Sequence, residues 1–298
     1  MPYGRLERKD VCAVVVAYHP GEDLEGRIDG ISRQVDRIVI VDNHSSPENA
    51  GVLDRLAART DVHLIRNERN LGVAAALNEG VRWAGRHGYA WAFLFDQDSA
   101  IAEDALATLG EVLESCGERD ELAVIGCNYR DINADILHYP DESPSGVSWR
   151  ERKTVITSGS LLPVRAYDRI GPFRDAFFID HVDDEYCLRA RKMGYRVIST
   201  CKPVMLHSVG ATTIHRLLWK KPGTSNHAPF RRYYMTRNHV ILIKEYLAVE
   251  PRWVFDTVHW RLKSLVLMCL FEDRRLEKIR YVLKGFFHGV LGRERERA

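Results

Sequence analysis

The 298-residue sequence has no apolar run long enough to cross a bilayer. The longest near the C-terminus, Ser264 to Phe271, falls far short of the roughly 20 residues a spanning helix needs. No apolar core precedes the first candidate strand, so a secretory leader is not expected. The six cysteines, Cys12, Cys116, Cys127, Cys187, Cys201 and Cys269, include no C-x-x-C pair, which argues against a thiolate zinc site or a disulfide framework and fits a reducing cytosol. Two nucleotide fingerprints are also missing. The first apolar run is followed by Tyr18-His19-Pro20-Gly21-Glu22-Asp23 and not by G-x-G-x-x-G, and no G-x-x-x-x-G-K-[ST] occurs, so dinucleotide and P-loop chemistries drop out. Acid is locally absent as well: residues 214–244 carry seven Lys/Arg and no Asp/Glu.

What is present is a globular composition, with 45% hydrophobic and 28% charged residues. The net charge of +2 is unevenly spread, because residues 214–244 sum to +7 and residues 251–298 to +5, leaving −10 for the rest. A basic C-terminal third suits contact with phosphates or an anionic membrane surface, although solvated helix faces are often basic too. No nucleic-acid partner is expected.

The chain opens on Val11 to Ala17, a β-branched run suited to a strand buried on both faces of a parallel sheet. Helical and strand patterns then alternate: a helix from Leu24, a strand at Arg37–Val41, a helix from about Glu48, a strand at Val62–Ile65 and a small-residue helix after Gly72. Each strand ends in a polar tip, at Tyr18, at Asp42 and at Arg66 to Asn70. The small residues Ala74 to Gly80 suit a helix packed close to a sheet, with N-terminal N–H groups open to an anion. The next strand ends in Phe95-Asp96-Gln97-Asp98-Ser99. In an open α/β sheet, ligands bind at the carboxyl ends of the strands, where two carboxylates offer hard oxygen ligands to Mg²⁺ or Mn²⁺; a plain turn is the alternative reading.

Farther on, residues 129–152 read as a long loop able to cover a donor or shape an acceptor cleft. In Thr157-Ser158-Gly159-Ser160, the glycine suits either close approach of backbone to ligand or a bulge. Phe177-Phe178-Ile179-Asp180-His181-Val182-Asp183-Asp184-Glu185 places four acids in six residues at a helix start. The helix dipole accounts for about two of them, and a carboxylate there suits a general base. A strand ending on His207 and a helix from Phe230 follow. Leu276, Ile279, Leu283, Phe286 and Val290 then recur at helical spacing among basic residues, on a helix that packs on the domain or lies on a membrane.

With Asp42, Asn70-Leu-Gly72, Asp96-Gln-Asp98, Asp183-Asp-Glu185-Tyr-Cys-Leu-Arg189 and His207 in that order, residues 11–240 resemble the family 2 glycosyltransferases. They look most like the bacterial rhamnosyltransferase branch, which His227-Ala-Pro-Phe-Arg231-Arg232-Tyr233 also resembles. The resemblance implies an α/β GT-A fold, Rossmann-like with a mostly parallel central sheet, over residues 1–212, and a basic helical extension over 213–298. It implies inverting, metal-assisted transfer of a sugar from a nucleoside diphosphate donor to a glycan acceptor, lipid-linked in the expected case. By position, Tyr18, Asp42, Asn70, Gly72 and Asn78 would shape the nucleotide pocket. Asp96 and Asp98 would hold Mg²⁺ or Mn²⁺ with His207 as a third ligand, and Asp183 would be the base, with Asp184 a competitor. Gly159, Ser160, Arg231 and Arg232 are candidates for acceptor or phosphate contact. The Q-x-x-R-W motif of processive members is absent. The expected activity is transfer of L-rhamnose from dTDP-rhamnose in cell-surface polysaccharide synthesis, at the cytoplasmic face of the membrane. The alternatives are a UDP-hexose or UDP-galactofuranose donor, or a non-catalytic nucleotide-sugar scaffold.

Overall fold

The computed structural model describes residues 6–117, 119–131, 136–137, 139, 147–207, 213–214 and 223–294. The chain packs as two units: Met1–Asp175 with Asp183–His207, and Ala176–Val182 with Ser208–Ala298.

The first unit begins with β1 (Val11–Ala17), α1 (Asp23–Ser32), β2 (Arg37–Asp42), α2 (Ala50–Ala57), β3 (Val62–Arg66), α3 (Val73–Arg86) and β4 (Trp91–Asp96). All seven residues of β1 are buried, because β1 pairs in parallel with β2 on one side and β4 on the other and is covered on both faces. β2 pairs in turn with β3. Successive strands therefore wind outward from β1 in one direction, and β4 then starts the other, which puts a topological switch point at the carboxyl ends of β1 and β4. The small residues of α3 have a visible reason: a Cβ on Gly80 would lie 2.2 Å from Val14 Cγ1, so glycine is what lets this helix sit down on β1.

Beyond β4 come β5 (Ala100–Ile101), α4 (Ala105–Ser115), β6 (Leu122–Asp131), β7 (Ile136–Leu137), β8 (Trp149–Glu151), β9 (Ser160–Pro163), α5 (Val164–Ile170), α6 (Val182–Lys192) and β10 (Arg196–His207). β9 runs antiparallel between β4 and β6, and β6 pairs in parallel with β10, completing a mixed but mainly parallel sheet. The stretch 129–152 is not a single loop. β6 continues to Asp131, β7 pairs with β6, and β8 pairs with β10, so short strand-forming pieces outweigh the turn-forming residues around them. Within it, residues 132–135, 138 and 140–146 lie outside the described ones.

The second unit contains β11 (Thr213–Ile214), β12 (Gly223–Thr224), α7 (Pro229–Tyr246), α8 (Pro251–Phe271) and α9 (Arg275–Val290). Proline opens both α7 and α8, where its missing N–H leaves no bond unmade. α7 and α9 approach closely through Gly285 and Gly289, where a Cβ would lie 2.5 Å from Tyr233 O and 2.7 Å from Val240 Cβ, respectively. Buried nearby, the Glu272 carboxylate takes Arg232 at 2.5 Å and Lys278 at 2.8 Å. Among the described residues no helix is long and apolar enough to cross a membrane.

Candidate active site

The switch point gathers several of the expected residues. Val16 lies opposite Asp96 in the β1–β4 register, so Tyr18 and Gln97 emerge side by side. They bind reciprocally: Tyr18 N donates to Gln97 Oε1 at 2.7 Å, and Gln97 Nε2 donates to Tyr18 O at 3.1 Å. Arg27 adds a bond to Gln97 O at 3.0 Å. The middle residue of Asp96-Gln97-Asp98 thus couples the two strand tips and leaves the flanking carboxylates at the edge, Asp96 half-buried and Asp98 exposed.

The tip of β2 is equally organised. Asp42 is buried and its Oδ1 accepts from Ser45 N at 2.9 Å. Asn43, which the sequence did not single out, is the hub. Its Nδ2 donates to Asn70 Oδ1 at 3.0 Å, while its Oδ1 accepts from Leu71 N at 2.8 Å and from Asn67 Nδ2 at 3.3 Å. Asn70 Oδ1 also accepts from Gly72 N at 2.9 Å, and Gly72 has φ +89°, a left-handed region where a side chain would be strained. Asp42, Asn70 and Gly72 are therefore brought together at the start of α3. Asn78 is not. It is fully buried farther along α3, and its amide is used by Phe173 N and O, Asp175 and the Tyr167 hydroxyl, so it ties α3 to the 173–175 segment and cannot shape a nucleotide pocket.

Ser158 supports the β4 tip. Its Oγ accepts from Asp96 N at 3.1 Å and shares a 2.5 Å hydrogen bond with Ser99 Oγ. Gly159 and Ser160, expected near a ligand, instead complete this turn. Gly159 has φ +72°, and a Cβ there would meet Met205 Sδ at 2.7 Å; the buried Ser160 hydroxyl donates to Thr157 O at 2.7 Å. The bulge reading of this glycine is the one its surroundings fit. β5 runs antiparallel to β10 with Leu206 opposite Ala100, and the His207 backbone stands opposite Asp131 of β6. The His207 side chain lies outside what is described, and among the described residues no three His, Cys, Asp or Glu side chains form a metal-binding group. The donor set that is described consists of Asp96 and Asp98, two hard oxygen ligands at a solvent-facing edge, and its chemistry fits Mg²⁺ or Mn²⁺.

The four acids before and within α6 separate by partner. Asp180 takes Arg231 through three hydrogen bonds of 3.0–3.2 Å. Glu185, 3% exposed, takes Arg189 at 2.8 and 3.0 Å, and Arg189 continues to the carbonyls of Ile170 and Pro172. Asp183 and Asp184 remain in the first turn, with Asp184 N donating to Asp183 Oδ1 at 2.9 Å. Asp183 lines a narrow crevice with Thr157, Phe173 and Tyr186. The buried Tyr186 hydroxyl has no hydrogen-bond partner among the described residues. Tyr139 is a second aromatic that no sequence pattern marks. Its backbone is held by Asn128, Arg152 lies 3.9 Å over its ring, and burial pushes its phenol up to about 12, with Asp183 and Asp184 adding to the rise.

In the second unit, Arg232 is 2% exposed and bound to Glu272, so it is a buried ion-pair residue and not a phosphate contact. The adjoining Arg237 and Asn238 hold residues 176–182 instead. Asn238 Nδ2 lies 2.9, 3.0 and 2.9 Å from the carbonyls of Phe177, Ile179 and Asp180, and Arg237 donates to Ala176 O. Phe178, Asp180 and His181 have φ of +63°, +64° and +61°, a run of left-handed residues that needs such support.

Comparison with known proteins follows this geometry. Residues 12–174 match the family described as Glycosyl transferase family 2. A dTDP-rhamnosyl transferase, RfbF, of Shigella flexneri is 29% identical over 303 residues, covering 95% of this chain and 96% of that protein. Among solved structures, GalNAc-T7 with UDP, GalNAc and Mn²⁺ superposes with a TM-score of 0.62 at 12% identity; 97% of this chain is covered, but only 57% of GalNAc-T7. S. aureus TarS residues 1–349 give 0.59 at 13% identity, covering 95% and 82%. The mannosyltransferase PcManGT from Pyrobaculum calidifontis, in complex with GDP-Man and Mn²⁺, gives 0.57 at 16%, covering 96% and 88%. The fold is GT-A, and the chain belongs to glycosyl transferase family 2.

Proposed function

We propose that this glycosyltransferase moves L-rhamnose from dTDP-rhamnose to a hydroxyl of a lipid-linked glycan acceptor in cell-surface polysaccharide synthesis, with inversion at the anomeric carbon. The observation that carries the donor assignment is the near full-length likeness, in both directions, to a dTDP-rhamnosyl transferase. The working location is the cytoplasm, at the inner face of the membrane.

In this reading the Tyr18 backbone, Asp42, Asn70 and Gly72 form the nucleotide side of the site. Each is already held by a hydrogen bond, Tyr18 to Gln97, Asp42 to Ser45, and Asn70 to both Asn43 and Gly72, which favours a pocket set before the donor arrives. Asp96 and Asp98 would hold Mg²⁺ or Mn²⁺, which when bound supplies positive charge opposite the diphosphate. Asp183 accepts the proton of the acceptor hydroxyl as its oxygen bonds to the anomeric carbon. The bond from that carbon to the diphosphate oxygen breaks, and its electron pair leaves with the nucleoside diphosphate. Asp184 is the competing base, and its backbone bond to Asp183 Oδ1 favours the fixed Asp183 carboxylate for the role.

The test is calorimetric binding of dTDP-rhamnose, UDP-glucose, UDP-galactofuranose and GDP-mannose, each with and without Mg²⁺ or Mn²⁺. Metal-dependent preference for dTDP-rhamnose is expected. Preference for a UDP-sugar would overturn the donor, and binding without any turnover on a glycan acceptor would point to a scaffold.

A further inference from the structure

We infer that the outer face of α9 docks on an anionic lipid bilayer. The inference specifies the membrane location proposed above and rests on it, but it draws on the C-terminal unit alone. One side of α9 is taken up by α7, where Gly285 and Gly289 permit close approach. The opposite side carries Leu276, Leu283, Phe287 and Leu291, spaced by seven, four and four residues and thus in one stripe. These side chains are 76%, 51%, 59% and 63% exposed. A stripe this long and this apolar is unusual on a surface without a partner.

Its occupant follows from the charges beside it. Arg280 and Lys284 flank the stripe one turn apart and are exposed, whereas the acid of this helix, Glu277, is tied to Arg274 at 2.7 Å. α8 repeats the pattern. Phe255, Leu262, Val266 and Leu270 are exposed along one line, with Arg252 and Lys263 beside them and Asp256 as the acid among the described residues of that helix. A second copy of this chain would bring like charges together, while a bilayer containing acidic headgroups takes the apolar stripe below the headgroup level and pairs with the flanking cations. Neither helix meets the length and hydropathy a spanning segment requires, so the contact is interfacial.

The experiment is flotation of the full chain with vesicles of phosphatidylcholine alone and of phosphatidylcholine with phosphatidylglycerol, at low and at raised salt. Binding to the anionic vesicles, weakened by salt, is expected. Leu283→Glu/Phe287→Glu should lower the bound fraction more than about tenfold, since both side chains would leave the apolar phase. Arg280→Gln/Lys284→Gln should lower it on anionic vesicles only. Leu283, Phe287 and Arg280 are exposed, and Lys284 is exposed with its ammonium 5.4 Å from the centre of the Tyr233 ring. Thermal unfolding should therefore stay unchanged in Leu283→Glu/Phe287→Glu and change little in Arg280→Gln/Lys284→Gln, which excludes misfolding as the cause. Absent flotation, flotation indifferent to these variants, or a concentration-dependent dimer abolished by Leu283→Glu/Phe287→Glu would overturn the inference, the last by assigning the face to a second copy. Donor binding, measured separately without vesicles, reports on the transferase reading, so either one can fail alone.

Discussion

The Asn238 side-chain oxygen accepts from both Nε and a terminal nitrogen of the Arg237 guanidinium, at 3.0 and 2.8 Å, which fixes which way the Asn238 amide faces. With its oxygen held, the NH₂ group meets the three carbonyls of the segment that ends one residue before Asp183. Left-handed backbone at non-glycine residues costs about 1–3 kcal/mol each, so three in four residues need a counterweight, and this pair provides one. Asn238→Ala is expected to destabilise the protein by about 1–3 kcal/mol, since it strands buried carbonyls. It should lower kcat while leaving donor KM near its original value, as steady-state kinetics with the donor varied will show. A parallel loss of donor affinity would count against this account.

Asp183 and Asp98 should fail differently. Asp183→Asn is expected to leave donor binding intact and to cut turnover about 10²- to 10⁴-fold, the range ascribed to general base catalysis. Asp98→Asn should weaken metal-dependent donor binding itself. Asp184→Asn should do neither, and a full loss of turnover there would move the base by one residue.

Gly285 offers a test of the helix pair. Alanine at this position brings a methyl to within 2.5 Å of the Tyr233 carbonyl oxygen, a backbone atom that cannot rotate aside. Overpacking of this kind costs about 1–3 kcal/mol, and a fall in Tm by several degrees is expected. Gly292→Ala, where a Cβ meets nothing, isolates the effect of its left-handed backbone and should be milder.

His227 supplies a pH dependence. Burial, with the Arg231 charge beside it, pushes its imidazole down to about 4. The folded state thus takes up its proton later than the unfolded state, whose histidine titrates near 6.5. Between roughly pH 6.5 and 4 the unfolded chain holds more protons, so stability falls as pH falls through that window, by up to about 3 kcal/mol. Glu272 shifts in the opposite circumstance: Lys278 and Arg232 hold its carboxyl below the usual range despite burial, so its contribution is present above about pH 4.5 and is lost on further acidification. Chemical denaturation from pH 7 to 4 should show the first slope, and His227→Gln should flatten it.

The sheet is legible in the sequence because β1, β2 and β4 are buried on both faces and so are written as unbroken apolar runs, each closed by a polar tip. Asp42, Asp96 and Asp98 stand at the tips of β2 and β4, and Asn70 and Gly72 in the loop that leads from β3 to α3. Other residues mislead because their residue type carries two meanings. Asn78 looks like a ligand-binding amide, yet its four hydrogen bonds go to residues about ninety positions away. Arg232 looks like a phosphate ligand in an acid-free stretch, but its partner Glu272 lies forty residues on. Asn43, Gln97 and Ser158 escape notice because they act by bridging one loop to another, and a bridge has no local pattern.

The placement of residues 176–182 also sets an order in time. They leave the ribosome well before Arg237 and Asn238, the side chains that hold them 58 to 61 positions further along. Arg237 in turn donates to Glu294 O, later still. A nascent chain therefore carries the left-handed run at residues 178–181 without its side-chain supports until α7 has been made.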